Sequence, residues 1–178
     1  MKKITITQIS EKKIKAGNPL LQMEDFPNEL SFDEGELVEL VDSRQKFVAK
    51  AYLAKQNKGV GWVFSLDNAD SFNEAFFKKQ FEKAKRKRTD LQSDPETTTY
   101  RLFNAEGDGI PGVTIDHYDG FAVVSWYSEG IFRYQTAIIA AFQAVFPETK
   151  GIYEKFRYQR KDGLISRYVR GDAAPTPL

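Results

Sequence analysis

The sequence predicts an α+β chain in two parts: a small β-rich barrel or sandwich, then a smaller unit of strands and a helix. Three observations carry this expectation. Short apolar runs separated by polar turns fill the first seventy residues. One long amphipathic helix opens near Ser71. Past residue 96, strand patterns resume around an Asp-Gly turn and are followed by a second helix.

The start, Met1-Lys2-Lys3-Ile4-Thr5-Ile6-Thr7, alternates like a strand. Residues 12–16 suit a short helix stopped by Gly17-Asn18-Pro19. Residues 37–42 and 47–54 read as strands, and Asn57-Lys58-Gly59 turns the chain into a third at 60–64. Ser71-Phe72-Asn73-Glu74 has the form of a capping box, in which serine and glutamate satisfy amides reciprocally. The helix that follows is predicted to reach Leu91, with Phe72, Ala75, Phe76, Phe77, Phe81, Ala84 and Leu91 toward the core. Ser93-Asp94-Pro95 ends it. Residues 100–104, 113–118 and 121–127 are strand candidates. Asp119-Gly120 joins the last two, because a type I′ turn needs positive φ at both central positions. Residues 131–146 repeat apolar side chains at helical spacing up to Pro147, and 151–156 returns as a strand. The tail, residues 173–178, reads as a linker.

Composition narrows the chemistry. There is no cysteine and one histidine, His117, among 178 residues. Disulfides, thiolate nucleophiles and zinc-thiolate sites are thereby excluded from these residues, and a histidine-rich metal site is disfavoured. No catalytic, cofactor-binding or metal-ligating residue is expected. The N-terminus lacks the apolar stretch of a secretory signal, which predicts a cytoplasmic chain with no membrane partner. The net charge of +1 hides an uneven distribution. Residues 1–75 hold 10 basic and 12 acidic side chains, residues 76–100 hold 7 and 4, and residues 101–178 hold 9 and 9. The cationic excess is local to the helix, where it matters to a polyanionic partner.

Two basic constellations follow. Lys78 to Arg88 carries seven cations and one anion. It is either the solvated face of a helix, favoured at its C-terminal end by the helix dipole, or a phosphate-contacting stripe. Lys83, Arg86, Lys87 and Arg88 are its candidate RNA-binding residues. The second run interleaves Lys155, Arg157, Arg160, Lys161, Arg167 and Arg170 with Phe156, Tyr158 and Tyr168. It suits stacking on unpaired bases, or an edge strand with snorkelling side chains. Arg157, Arg160 and Lys161 are its candidates. Gly107-Asp108-Gly109-Ile110-Pro111-Gly112 has the spacing of a dinucleotide loop, but alternating strand-like residues follow it, so a glycine-rich connection between strands is expected instead. His117 and Asp116 beside the hairpin have no third group to complete a catalytic set.

The run Arg101-Leu102-Phe103-Asn104-Ala105-Glu106-Gly107-Asp108-Gly109-Ile110-Pro111-Gly112-Val113-Thr114-Ile115-Asp116 resembles the R-L-x-x-G-E-x-D-G-L-P-G-L-x-V-D stretch of bacterial large-subunit ribosomal RNA methyltransferases that begin with a PUA domain. Arg160-Lys161-Asp162-Gly163-Leu164 resembles their R-K-x-x-G-L segment. The chain departs from that pattern at Asn18-Pro19-Leu20-Leu21-Gln22, at Val60-Gly61-Trp62, and at Ala105, where the family has glycine.

The resemblance implies a PUA-like RNA-binding module over residues 1–72 and a connecting helix over 73–95. It implies a small α+β domain of two strands, a helix and two strands over 96–172, with the Rossmann methyltransferase domain absent. Enzymes of the cytosine carbon-5 type are expected to add a cysteine thiolate to carbon-6 first, and this chain has none. The resemblance therefore implies a substrate-positioning N-terminal part without a catalytic domain, with S-adenosylmethionine bound elsewhere and no cofactor within these residues. Ribosomal RNA is the implied partner, and a second copy of the chain is a candidate one. A free-standing RNA-binding or protein-interaction module is the competing reading.

Overall fold

The computed structural model describes residues 1–57 and 59–175; Lys58, in an expected turn, and residues 176–178 of the expected linker lie outside them. The first part holds β1 (Lys2–Thr5), α1 (Gln8–Lys15), β2 (Leu20–Leu21), a 3₁₀ turn at Met23–Asp25, β3 (Leu37–Val41), β4 (Phe47–Gln56) and β5 (Gly59–Ser65). These strands form one mixed sheet in the order β1-β3-β4-β5-β2, parallel only between β1 and β3. The helix α1 begins four residues earlier than residues 12–16 suggest. Thr7 caps it, its side chain accepting from the Ser10 amide at 3.2 Å, and Ser10 and Ile14 are buried.

The strand β4 explains its own sequence. Phe47-Val48-Ala49-Lys50-Ala51-Tyr52-Leu53-Ala54 is almost continuously apolar because the strand is covered on both faces. Ala49, Ala51 and Leu53 face an inner core with Ile6, Ile14, Leu21, Phe26, Val38 and Leu40. Tyr52 and Ala54 face the other way, into a second core. Lys50, 7% exposed, is satisfied there by donating to the carbonyls of Asn68 (2.6 Å) and Asp70 (2.8 Å).

The second part holds α2 (Glu74–Lys87), α3 (Thr89–Ser93), β6 (Thr99–Asn104), α4 (Ala105–Asp108), β7 (Val113–Tyr118), β8 (Phe121–Trp126), α5 (Glu129–Phe132), α6 (Gln135–Val145), β9 (Gly151–Phe156) and β10 (Ser166–Gly171). Asn73, not Ser71, caps α2: its side chain accepts from the Phe76 amide at 3.0 Å. Phe76, Phe77, Phe81 and Ala84 are buried as the periodicity predicts. Ala75 and Leu91 are exposed, and the helix breaks at Arg88 instead of continuing to Leu91. Residues 131–146 divide into α5 and α6, because Ser128 caps a short separate turn, accepting from the Ile131 amide. Asp119 (φ 46°) and Gly120 (φ 91°) adopt the predicted turn.

The expected strand-strand-helix-strand-strand domain is corrected. Three strands, β6, β7 and β8, precede α5 and α6, and the sheet runs β10-β9-β8-β7-β6. β6 joins because Tyr100 pairs antiparallel with His117 and Asn104 with Thr114. α5 and α6 form a crossover, so β8 and β9 pair in parallel, while the other neighbours are antiparallel. The two parts also share a core. Tyr52, Trp62 and Phe64 of the first sheet pack in one cluster with Phe72, Phe77, Phe81, Trp126, Ile138 and Phe142. Tyr52 is fully buried, stacks on Trp62 (5.7 Å) and Phe72 (5.5 Å), and donates its hydroxyl to the Pro111 carbonyl at 2.9 Å. Gly112 is required beside it: its φ is 78°, and a Cβ there would lie 2.6 Å from the Tyr52 hydroxyl.

The glycine-rich segment is folded around Asp108. This carboxylate accepts from Arg88 Nη2 (2.6 Å), Lys87 Nζ (3.0 Å) and the Asn104 amide (2.8 Å), with its side chain 4% exposed. Burial raises its pKa, but the hydrogen bonds from Arg88, Asn104 and Lys87 outweigh that and hold it below the usual carboxylate value. Ala105, where the resembling family has glycine, sits at φ 40°. A Cβ is disfavoured there, which explains the glycine.

Three outcomes follow for stability. Ala105→Gly raises unfolding free energy by roughly 0.5–1 kcal/mol in urea titrations, since relief of left-handed strain exceeds the added chain entropy; an unchanged or lowered midpoint rejects the strain. Asp108→Asn lowers stability at pH 7 by about 3 kcal/mol by stranding Arg88. The wild-type contribution of Asp108 is present above the unfolded pKa of 3.8 and is lost as pH falls through the lower folded value. His117 adds a separate limb. Burial depresses its pKa; its Nε2 accepts from the Gly120 amide at 3.1 Å, and its ring stacks on Tyr100. The unfolded chain takes the proton more readily, so stability drops as pH falls through 6.5 and levels off below the folded value. Chemical denaturation from pH 7.5 to 5 reads this limb directly, and a flat profile there contradicts it.

Candidate nucleic-acid interface

The seven predicted cations divide by what they touch. On α2, Lys79, Lys83 and Arg86 lie on one face, at spacings of four and three residues. Lys79 is paired with Asp70 at 3.6 Å. Lys85 donates to the Val145 carbonyl (2.8 Å) and Glu148 (3.3 Å), with Phe146 beneath it. Lys87 and Arg88 converge on Asp108, and Arg88 also donates to the carbonyls of Arg101 (2.7 Å) and Ala84 (3.2 Å). Arg88 is thus a structural clamp, and its charge is spent inside the fold. Lys83 and Arg86 are exposed. Among the described residues the one polar contact of the Lys83 side chain is a 3.4 Å approach to Gln80, and the Arg86 side chain has no acidic partner.

The second basic run forms a cleft of about 590 Å³ lined by Glu34, Lys55, Glu129, Arg133, Tyr158 and residues 159–162. Arg160 is part of its lining. The guanidinium lies 4.3 Å from the Phe156 ring centroid and 4.9 Å from that of Phe132. It holds Asp162 through two bonds (2.9 and 2.6 Å) and donates to the Tyr158 hydroxyl at 3.2 Å. The hydrogen bond from Arg160 is the main reason the Asp162 pKa is held at about 2. Burial first, and Glu129 second, push Tyr158 up to about 12 against the opposing bond from Arg160. Both members of the Arg160–Asp162 pair are therefore charged, and Tyr158 is neutral, across the physiological range.

Arg167, on the same aromatic pair, is bound to the fully buried Glu154 at 2.6 Å. Arg157 and Lys161 are exposed. The structure therefore brings Arg160 and Lys161 into one cleft, leaves Arg157 outside its lining, and keeps the four α2 residues on another surface. Lys55 and Arg133 also line the cleft, and the sequence-based selection missed them. They come from β4 and from the end of α5, 78 positions apart, and neither lies in a basic run. The Gly107–Gly112 segment connects α4 to β7 and opens no helix, as its strand-like continuation suggested.

Comparison with known proteins finds homologues of this chain. Residues 4–66 match the model of a PUA-like domain. The chain is 40% identical over 182 aligned positions to YwbD of Bacillus subtilis, named for the ribosomal RNA large subunit methyltransferases. The alignment covers 100% of this chain and 46% of that protein. It is 32% identical to ribosomal RNA large subunit methyltransferase I of Cronobacter sakazakii over 81% of this chain and 37% of the relative. A solved structure described as a SAM-dependent methyltransferase from Streptococcus mutans superposes with a TM-score of 0.90 at 40% identity, over 98% of this chain and 44% of that one. SMU.776, described as a methyltransferase complexed with SAH, superposes equally well. The chain spans about half the length of these relatives.

Two sequence-based expectations are corrected by the superposition. The Rossmann methyltransferase domain was expected to be absent, and the methyl donor to bind outside residues 1–178. Yet 98% of this chain, with its two mixed sheets and their helices, superposes on solved structures described as methyltransferases, one of them complexed with SAH. The resemblance read from residues 101–116 and 160–164 is borne out: this is a PUA-domain chain homologous to the large-subunit ribosomal RNA methyltransferases, aligned with their N-terminal part.

Proposed function

We propose that this protein serves S-adenosylmethionine-dependent methylation of large-subunit ribosomal RNA, and that residues 1–72, α2 and the cleft around Arg160 hold the RNA. The carrying observation is that cations remain unneutralised on an otherwise heavily ion-paired surface. Around Lys83 and Arg86 every neighbouring cation from Lys85 to Arg88, Arg86 itself excepted, has an acidic partner. Lys161, Lys55 and Arg133 likewise line the cleft around Arg160, with Lys161 and Lys55 exposed and Arg133 partly so. Exposed cations give salt-dependent phosphate binding without reading sequence. Phe156 and Phe132 pack against the planar Arg160 guanidinium, a group suited to stacking on an unpaired base.

Donor binding is proposed from the SAH-bound neighbour. The Gly107–Gly112 loop itself does not fit the donor. It enters β7, so no helix amides face a ligand as they do in a dinucleotide-type turn.

The test is RNA binding across a salt series. Lys83→Glu combined with Arg86→Glu weakens binding about tenfold near physiological salt and reduces the slope of log K against log salt by roughly one to two. Arg88→Gln behaves differently: it costs about 2–3 kcal/mol of stability through Asp108 and leaves the salt slope close to wild type. Filter binding paired with thermal unfolding separates the two. Unaltered RNA affinity in the double variant rejects the α2 surface; the same comparison with Lys161→Glu addresses the cleft.

A further inference from the structure

A second cleft, of about 310 Å³, lies where the two sheets meet. β4 and β5 supply Gln56 and Trp62; β6 and α4 supply Arg101, Asn104, Ala105 and Glu106; Gly112, Thr114 and Tyr127 close it. Its chemistry differs from that of the basic surfaces. Arg101 is neutralised by two bonds to Asp116, at 2.6 and 3.2 Å, and approaches the Asn104 side-chain oxygen at 3.4 Å. The Glu106 side chain is exposed and has no cationic or hydrogen-bond partner among the described residues. A phosphate would meet an uncompensated carboxylate there. A ligand that donates hydrogen bonds would not.

Two further features fit such a ligand. Trp62 and Tyr127 give the cleft aromatic surface. Thr114, 4% exposed, has a buried hydroxyl oxygen with no hydrogen-bond partner, on a wall of the same cleft. The amides of Gln56 and Asn104 each offer a donor and an acceptor. The volume is at the lower end for small-molecule sites, suited to one base and not to a stacked pair.

We infer that this cleft receives a single unpaired RNA base bearing an exocyclic amino group, with Glu106 accepting from that amino group and Asn104 or Gln56 reading the adjacent ring edge. Uracil, which has no amino group, is discriminated against. The inference rests on the RNA-binding reading above and adds a base-reading site to it, away from the Arg160 cleft.

Fluorescence-anisotropy titrations with single-stranded RNA hexamers test it: all-uracil, and the same hexamer with one central cytosine, guanine or adenine. The readout is the ratio of affinities, in which general phosphate binding cancels. The wild-type chain should prefer at least one amino-bearing hexamer over all-uracil by about tenfold. Glu106→Gln and Asn104→Ala should each bring that ratio below about twofold, with thermal midpoints near wild type because both side chains are exposed. No preference in the wild type, or an unchanged ratio in both variants, overturns the base site while leaving the wider RNA reading standing. Loss of binding to every hexamer by the wild type would overturn both. Competition with SAH is the remaining arm: if SAH displaces the hexamer from the wild type and not from Glu106→Gln, the cleft takes a free nucleoside and the RNA-base assignment falls.

Discussion

Tyr52 and the aromatic seam around it are the contact on which the rest depends. The ring is fully buried between Trp62 and Phe72, and Phe72 in turn packs edge-on against Phe77 and Tyr134. Through this chain the first sheet, α2 and the helical crossover share one apolar cluster. The Tyr52 hydroxyl satisfies the Pro111 carbonyl at the same place, so the glycine-rich loop is fixed to the first sheet by a polar contact inside an apolar one. Both clefts border this junction, drawing walls from β4 or β5 and from the second part. Their shapes are consequences of how the two sheets meet.

Electrostatics on this protein is mostly a matter of subtraction. α2 looks strongly cationic as a string of residues, yet Asp70, Glu148 and Asp108 remove much of that charge. Asp108 pulls Arg88 and Lys87 down onto the loop after β6, at the point where α2 stops. The ion pairs are best understood as joints between elements; the exposed ones, Lys79–Asp70 and Lys85–Glu148, contribute little stability one by one. What remains available to a polyanion is set by which cations the fold has not used.

Much of the fold was legible in the sequence. β3, β4, β5, β7, β8 and the Asp119-Gly120 turn follow from alternation and turn chemistry, and Phe76, Phe77, Phe81 and Ala84 from helical spacing. β2 escaped because two residues, Leu20 and Leu21, carry no period. β10 escaped because an exposed edge strand of Ser166-Arg167-Tyr168-Val169-Arg170 reads as charge interleaved with aromatics. The cap shifted from Ser71 to Asn73 because both residues can cap, and Phe72 must enter the core before the helix begins. The candidate sites were half legible. Runs of cations show where charge is concentrated, but pairing with Asp108 or Asp162 is a tertiary event. Lys55, Arg133 and the Trp62–Glu106 cleft are assembled from distant segments and leave no local trace.

The parallel pairing of β8 and β9 has a consequence for how the molecule assembles. β6, β7 and β8 meet across short connections, so this meander can form early from local contacts. β9 can dock only after α5 and α6 have spanned the intervening chain, and β10 only after β9. The loop-closure entropy of that crossover must be met before its contacts return anything. The Arg160 cleft, which takes part of its lining from the C-terminal side of the crossover, is thus among the last parts of the chain to acquire its shape, whereas Glu106 in α4 and Thr114 in β7 belong to the meander that can form first.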